Sequence, residues 1–211
     1  MLEHEFISAT KKGSDALWIM LHGLGDSIEG YRWLPEAMCL PWMNYLLVNA
    51  PDEYYGGYSW FDFGGDIAPG VKRSEGLLFE LLDAQREKGF PTEQTTFGGF
   101  SQGCLMSVEV GLRYPYRFAG IVGVSGYVCN PEKLVKEMSP VARQQRLLIT
   151  HGTQDPLISF VEAQKQFAIL KAAGLNLEFH AFAKAHTIAG EEELDVIRKF
   201  VRAGYADVVG Q

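Results

Sequence analysis

Short apolar runs alternate along this chain with longer stretches of helical period. Residues 16–21, Ala-Leu-Trp-Ile-Met-Leu, carry no charged position and are too short for a helix, so they predict a buried strand. Similar runs predict strands over 45–49, 95–99, 119–124, 146–150 and 175–182. Between them apolar positions recur at helical spacing. Over 73–88, Leu77, Leu78, Leu81 and Leu82 form one face, and Gly89 stops the helix. Further helices are predicted over 31–39, 102–114, 131–138, 160–173 and 191–203, with Pro41, Pro115, Gly174 and Gly204 beyond their ends and Pro131 in a first turn. Such alternation predicts an α/β architecture, a mostly parallel sheet joined by right-handed crossover helices. Without a repeat or a linker, it reads as one domain over 1–211. Ligands of such sheets sit at the carboxyl ends of strands, at the loops near His22, Asn49, Phe100, Ser125, His151 and Ala183.

One of those loops carries a recognisable pattern. Gly99-Phe100-Ser101-Gln102-Gly103 matches G-x-S-x-G between a predicted strand and a predicted helix. That sharp turn would lift the Ser101 hydroxyl above the sheet; an ordinary N-cap serine on a glycine-rich turn would look the same. Chain order discriminates, because an α/β-hydrolase needs serine, then acid, then histidine. After Ser101, Asp155 is the only aspartate before the final histidine, in the turn His151-Gly152-Thr153-Gln154-Asp155-Pro156, and only His180 and His186 follow it. His180 falls inside a strand pattern on the face of Asn176 and Glu178, which suits a packed or solvated side chain. His186 follows that strand in a loop able to aim it at Ser101. An oxyanion hole would take one backbone N–H from Gln102 and another from the loop Leu21-His22-Gly23-Leu24-Gly25-Asp26-Ser27, with Leu24 the expected donor.

Other candidates are weaker. The segment 54–63 holds six aromatics, and Trp60 and Phe61 are the candidates to border an acyl pocket, with packing onto the core as the alternative. Asp26, Asp62 and Asp66 read as turn or capping groups. His22 and His151 each precede a glycine but lack a second ligand at metal-binding spacing, so no metal is expected. Gly23 and Gly25 start a G-x-G-x-x-G that Ile28 breaks, and no P-loop exists; no cofactor is expected.

Composition narrows the classes further. Of 211 residues, 47% are hydrophobic and 21% charged, which disfavours a disordered, collagen-like or disulfide-scaffold chain. The net charge of −7, without a Lys/Arg cluster, speaks against a nucleic-acid partner. Cys39, Cys104 and Cys129 are unpatterned and suit a reducing cytoplasm. Met-Leu-Glu-His-Glu-Phe carries no signal-peptide core and Val-Val-Gly-Gln no prenylation box, so neither export nor a lipid anchor is expected. No apolar run approaches the roughly 20 residues of a membrane-spanning helix.

Taken together, Leu21–Ser27, Ser59–Asp62, Gly98–Gly103, His151–Pro156 and His186 resemble the phospholipase/carboxylesterase family of α/β-hydrolases, which includes bacterial carboxylesterases and acyl-protein thioesterases. The resemblance covers nearly the whole chain. It implies a three-layer α/β-hydrolase fold with helices on both faces and little or no lid. It also implies a triad of Ser101, Asp155 and His186, with oxyanion N–H groups on Leu24 and Gln102. Implied substrates are short and medium acyl esters, acyl thioesters and lysophospholipids. Ala185, Cys104 and Ser159 depart from residues frequent in the family, and bear on loop geometry and substrate range. The expected activity is a carboxylesterase acting through an acyl-enzyme on a small ester or thioester. An acyl-protein thioesterase or lysophospholipase on the same triad is the nearer alternative, and a non-enzymatic binding module the remote one. A homodimer stays open, as does whether the segment from Ser125 to Gln145 covers the site.

Overall fold

The computed structural model describes residues 1–205; the carboxyl-terminal Val-Val-Gly-Gln lies outside them. Its strands are β1 (His4–Ile7), β2 (Leu17–Leu21), β3 (Asn44–Val48), β4 (Asp52–Tyr54), β5 (Gly57–Ser59), β6 (Thr95–Phe100), β7 (Gly120–Val124), β8 (Arg146–Gly152) and β9 (Asn176–Phe182). Its helices are α1 (Leu34–Met38), α2 (Ala68–Glu87), α3 (Gln102–Arg113), α4 (Pro131–Glu137), α5 (Phe160–Ala172) and α6 (Gly190–Ala203). Seven strands form one sheet in the order β1-β3-β2-β6-β7-β8-β9, parallel except for β1.

Strand alternation divides the core between the two faces. Leu17, Ile19 and Leu21 of β2 pack with Leu78 and Leu82 of α2, Leu105 and Val108 of α3, and Phe167 of α5. Trp18 and Met20, pointing the other way, pack with Leu34 and Met38 of α1 and Ile197 and Phe200 of α6. The result is the three-layer α/β architecture expected. Segment 125–145 lays α4 against α3 and α5.

The departures have local causes. The helix expected over 31–39 splits into a 3-10 turn at Ile28–Tyr31 and α1, which Cys39 ends in the left-handed region at φ 50°. Helix α2 begins at Ala68 instead of Arg73, because Pro69 is tolerated in a first turn. Strand β8 runs on through His151 and Gly152, which pair with Ala181 and Phe182. Strand β1 and the β4–β5 hairpin are absent from the hydrophobic pattern. Both are short and half-exposed, and the hairpin turns on Tyr55 and Gly56, both at positive φ. No helix among the described residues is long and apolar enough to cross a membrane.

Two glycines test how far packing dictates sequence. A Cβ at Gly103 would lie 2.2 Å from the Leu21 carbonyl oxygen, whereas Gly76, on the exposed side of α2, has nothing within 4 Å. Gly103→Ala should therefore cost about 1–3 kcal/mol, and Gly76→Ala should stabilise by about 0.5–1 kcal/mol. Urea midpoints of both variants check the pair; an unchanged midpoint for Gly103→Ala would show that the β2–α3 contact is slack.

Candidate active site

Ser101 sits between β6 and α3 at φ 56° and ψ −115°, a conformation that costs a non-glycine residue of the order of 1–3 kcal/mol. The surroundings impose it. The Ser101 N–H donates to Val124 O at 2.9 Å, and Gly103 lets the next helical turn lie directly on the end of β2. The hydroxyl therefore stands at the carboxyl edge of the sheet.

His186 arrives from the loop after β9. Its Nε2 lies 2.9 Å from Ser101 Oγ, and its Nδ1 lies 2.7 Å from Asp155 Oδ2. A carboxylate only accepts, so Nδ1 carries the hydrogen and Nε2 accepts from the Ser101 hydroxyl. The Asp155 side chain has no solvent exposure and that of His186 only 12%. Burial disfavours the Asp155 carboxylate, but the Ile158 and Leu157 N–H groups, at 2.9 Å each, and His186 outweigh it and hold its pKa below the usual value. The three residues singled out by chain order are thus brought into one hydrogen-bonded line. His180 lies elsewhere, on β9 beside Glu178.

The loop after β2 comes up beside this line. An ideal Cβ at Gly23 would lie 3.2 Å from Ser101 Cβ. Neither the Leu24 nor the Gln102 N–H has an acceptor among the described residues. Main-chain bonds hold this loop to the hairpin, from Gly25 N–H to Tyr58 O and from Tyr58 N–H to Asp26 O, both at 2.9 Å. His22 braces it from below. The Ala50 N–H donates to His22 Nε2 at 3.0 Å, so Nδ1–H donates to Gly23 O at 2.6 Å and the ring is neutral. Burial lowers the His22 pKa.

Trp60 and Phe61 require a correction. Both are 0% exposed and locked into the core, which leaves no surface to border an acyl pocket. Trp60 Nε1 donates to His22 O at 2.9 Å, and its N–H donates to Gln102 Oε1 at 3.0 Å. Gln102 Nε2 in turn donates to Phe61 O at 2.9 Å. These two residues tie the segment after β5 to the start of α3. A cavity of about 380 Å³ instead opens beside His186, lined by Asp26, Tyr31, Trp33, Phe100 and Ile188. A larger cleft of about 750 Å³, lined by Asp66, Lys72, Glu75, Glu109 and Arg113 among others, includes none of Ser101, Asp155 or His186.

Sequence reasoning missed the brace on the His186 loop. Lys184 and Glu193 are 5% and 0% exposed, and Lys184 Nζ donates to Glu193 Oε1 at 2.5 Å and to Thr187 O at 2.8 Å. The Ala189 N–H donates to Glu193 Oε2 at 2.7 Å. Nothing in the sequence marks this pair, because a lysine in a loop and a glutamate at a helix start are ordinarily solvated. Phe100, with its ring centroid 4.8 Å from that of His186, was also missed as a neighbour of the histidine.

A model of the family described as Phospholipase/Carboxylesterase matches residues 2–204. The chain is 36% identical over 160 residues to acyl-protein thioesterase 1 of Schizosaccharomyces pombe, covering 68% of this chain and 70% of the relative. Among solved structures, esterase PE8 superposes with a TM-score of 0.82 at 28% identity, covering 95% of this chain and 98% of that one. Acyl-protein thioesterase 2 of Zea mays gives 0.78 at 25% identity, covering 96% and 98%.

Two predictions follow from the braces. His151, like His22, has its pKa lowered, chiefly by burial. The unfolded chain titrates them near the ordinary value of about 6.5. Their stabilisation is therefore complete above about pH 6.5 and is lost as pH falls toward the folded-state values, by at most about 1.4 kcal/mol per pH unit for each. Urea midpoints measured from about pH 7.5 down to about pH 5.5 should fall, and His22→Gln should flatten the slope; equal slopes would mean that His22 is already charged in the folded protein. Lys184→Met strands the Glu193 carboxylate and should cost about 3–5 kcal/mol, and Lys184→Met/Glu193→Leu should recover most of it in thermal melts. No recovery in the double variant would show that the cost lies in packing and not in the stranded charge.

Proposed function

Since this chain belongs to the phospholipase/carboxylesterase family of α/β-hydrolases, we propose that it cleaves carboxylic esters of short to medium acyl chains through an acyl-enzyme on Ser101. The observation that carries this is the hydrogen-bonded line from the shielded Asp155 carboxylate through His186 to Ser101 Oγ. As Oγ attacks the acyl carbonyl carbon, its proton passes to His186 Nε2, and Asp155 stabilises the imidazolium. The Leu24 and Gln102 N–H groups receive the developing oxyanion. The tetrahedral centre collapses, the bond to the alcohol or thiol breaks, and the leaving atom takes the proton from Nε2. Water then gives a proton to the same nitrogen, attacks the acyl carbon and releases the carboxylic acid, returning Ser101 to its hydroxyl form. These steps use the chain's own residues within one domain.

Short to medium acyl chains are favoured because little apolar volume adjoins the site outside the cavity beside His186. The slot behind Trp33, lined by Trp18, Met20, Leu34, Met38 and Val122, holds about 20 Å³. That is room for about one water-sized sphere. The larger cleft is lined by charged side chains that would strand a long acyl tail among them. A second reading, acyl-protein thioesterase, is favoured by the likeness to relatives of that name. The same triad serves a thioester, with sulfur as the leaving atom. The three free cysteines suit a reducing compartment.

Ser101→Ala should lower kcat by about 10⁴-fold or more, and Asp155→Asn by about 10⁴-fold through the wrong imidazole tautomer. His186→Ala should lose as much, and His180→Ala little. A fluorophosphonate probe read by mass spectrometry should label Ser101; turnover by Ser101→Ala near that of the parent would remove the triad. Across p-nitrophenyl esters, kcat/KM should rise about fourfold per CH₂ over the first few carbons and then level off. A continued rise to long chains would remove the chain-length assignment. Thioester cleavage from an acylated protein, faster than from a small thioester, would favour the second reading.

A further inference from the structure

The side of the site occupied by the leaving group has a chemistry of its own. With the acyl oxygen toward Leu24 and Gln102, the departing alcohol or thiol must lie within proton-transfer reach of His186 Nε2. The cavity that His186 lines is therefore the place for it, a reading that rests on the ester hydrolysis proposed above. Its lining joins one carboxylate residue, Asp26, to the aromatic residues Tyr31, Trp33 and Phe100.

Asp26 is held but not neutralised. Its Oδ1 accepts from the Ser27 N–H at 2.8 Å, and no ion pair engages it among the described residues. A carboxylate offers about four acceptor positions, so most of its capacity is unused. Gly30 makes the room: a Cβ there would lie 2.2 Å from Asp26 Oδ1. Trp33, in the same lining, is 39% exposed and stacks on Tyr31 with centroids 6.5 Å apart, its Nε1 donating to Gly30 O at 2.7 Å. An indole and an unpaired carboxylate lining one cavity attract a poorly hydrated cation by the ring quadrupole and by charge together. No lysine or arginine lines the cavity, so an anionic leaving group would find no permanent cation there to offset Asp26. Asp26 also offsets the repulsion between such a cation and the imidazolium that forms on His186.

We infer that the cavity formed by Asp26, Tyr31, Trp33 and Phe100 selects esters or thioesters whose leaving alcohol or thiol carries an ammonium group.

The test compares butyrylcholine with 3,3-dimethylbutyl butanoate, which replaces the charged nitrogen by carbon at equal shape. The parent enzyme should prefer the choline ester by about tenfold in kcat/KM. Asp26→Asn retains an oxygen for the Ser27 N–H and should bring the ratio near one, as should Trp33→Leu. Alongside, tetramethylammonium titrated into Ser101→Ala should bind saturably by calorimetry, and should fail to bind Ser101→Ala/Asp26→Asn. Equal rates for the two esters without saturable binding would overturn the cation site and leave the hydrolase standing. A ratio that survives Asp26→Asn while both rates fall would show that Asp26 only shapes the loop, and would also overturn it. Saturable binding in a protein that cleaves neither ester would support the site and remove the hydrolytic reading.

Discussion

The site depends on one close approach, where the first turn of α3 rests on the last carbonyl of β2. Gly103 allows that contact because a single Cβ there would lie 2.2 Å from Leu21 O. With the helix start held so low, Ser101 has no extended or helical conformation available and is driven to φ 56°. The same contact sets the free N–H of Gln102 beside the loop that carries Leu24. The positions of the Ser101 hydroxyl and of the Gln102 N–H thus follow from the distance between one helix and one strand.

Around that contact the protein uses buried polar groups as ties. His22, Gln102 and the Lys184–Glu193 pair each join two segments that share no regular secondary structure. Each is costly to bury and is satisfied by at least one main-chain partner, which makes the tie specific to one arrangement. A hydrophobic tie of similar volume would hold these loops near one another without fixing which atom meets which.

Strands read well from sequence because the sheet is buried on both faces, so Leu17–Leu21 and Asn44–Val48 appear as continuous apolar runs. The order Ser101, Asp155, His186 was also legible, because strand ends place such residues at one edge. The hairpin Asp52–Ser59 was not, since its role is to hydrogen-bond a loop and not to bury side chains. Trp60 and Phe61 misled for the opposite reason. An aromatic cluster after a strand has the composition of a pocket wall, and only tertiary contacts show that these two rings face inward. Lys184 was silent because its partner Glu193 is brought to it by the turn into α6.

The hairpin meets the loop carrying Leu24 through main-chain atoms, Gly25 N–H to Tyr58 O and Tyr58 N–H to Asp26 O. Apart from Gly57, whose missing Cβ leaves space for Gly25 O, the join has little dependence on which side chains the hairpin carries. Tyr55, 95% exposed at its tip, is free of that join, whereas the Tyr54 ring lies beside Gly25. Sequence drift there can therefore remodel what the rim of the site presents to solvent while the inherited scaffold beneath it stays the same. In this architecture the capacity to acquire new substrates is separated, residue by residue, from the capacity to catalyse.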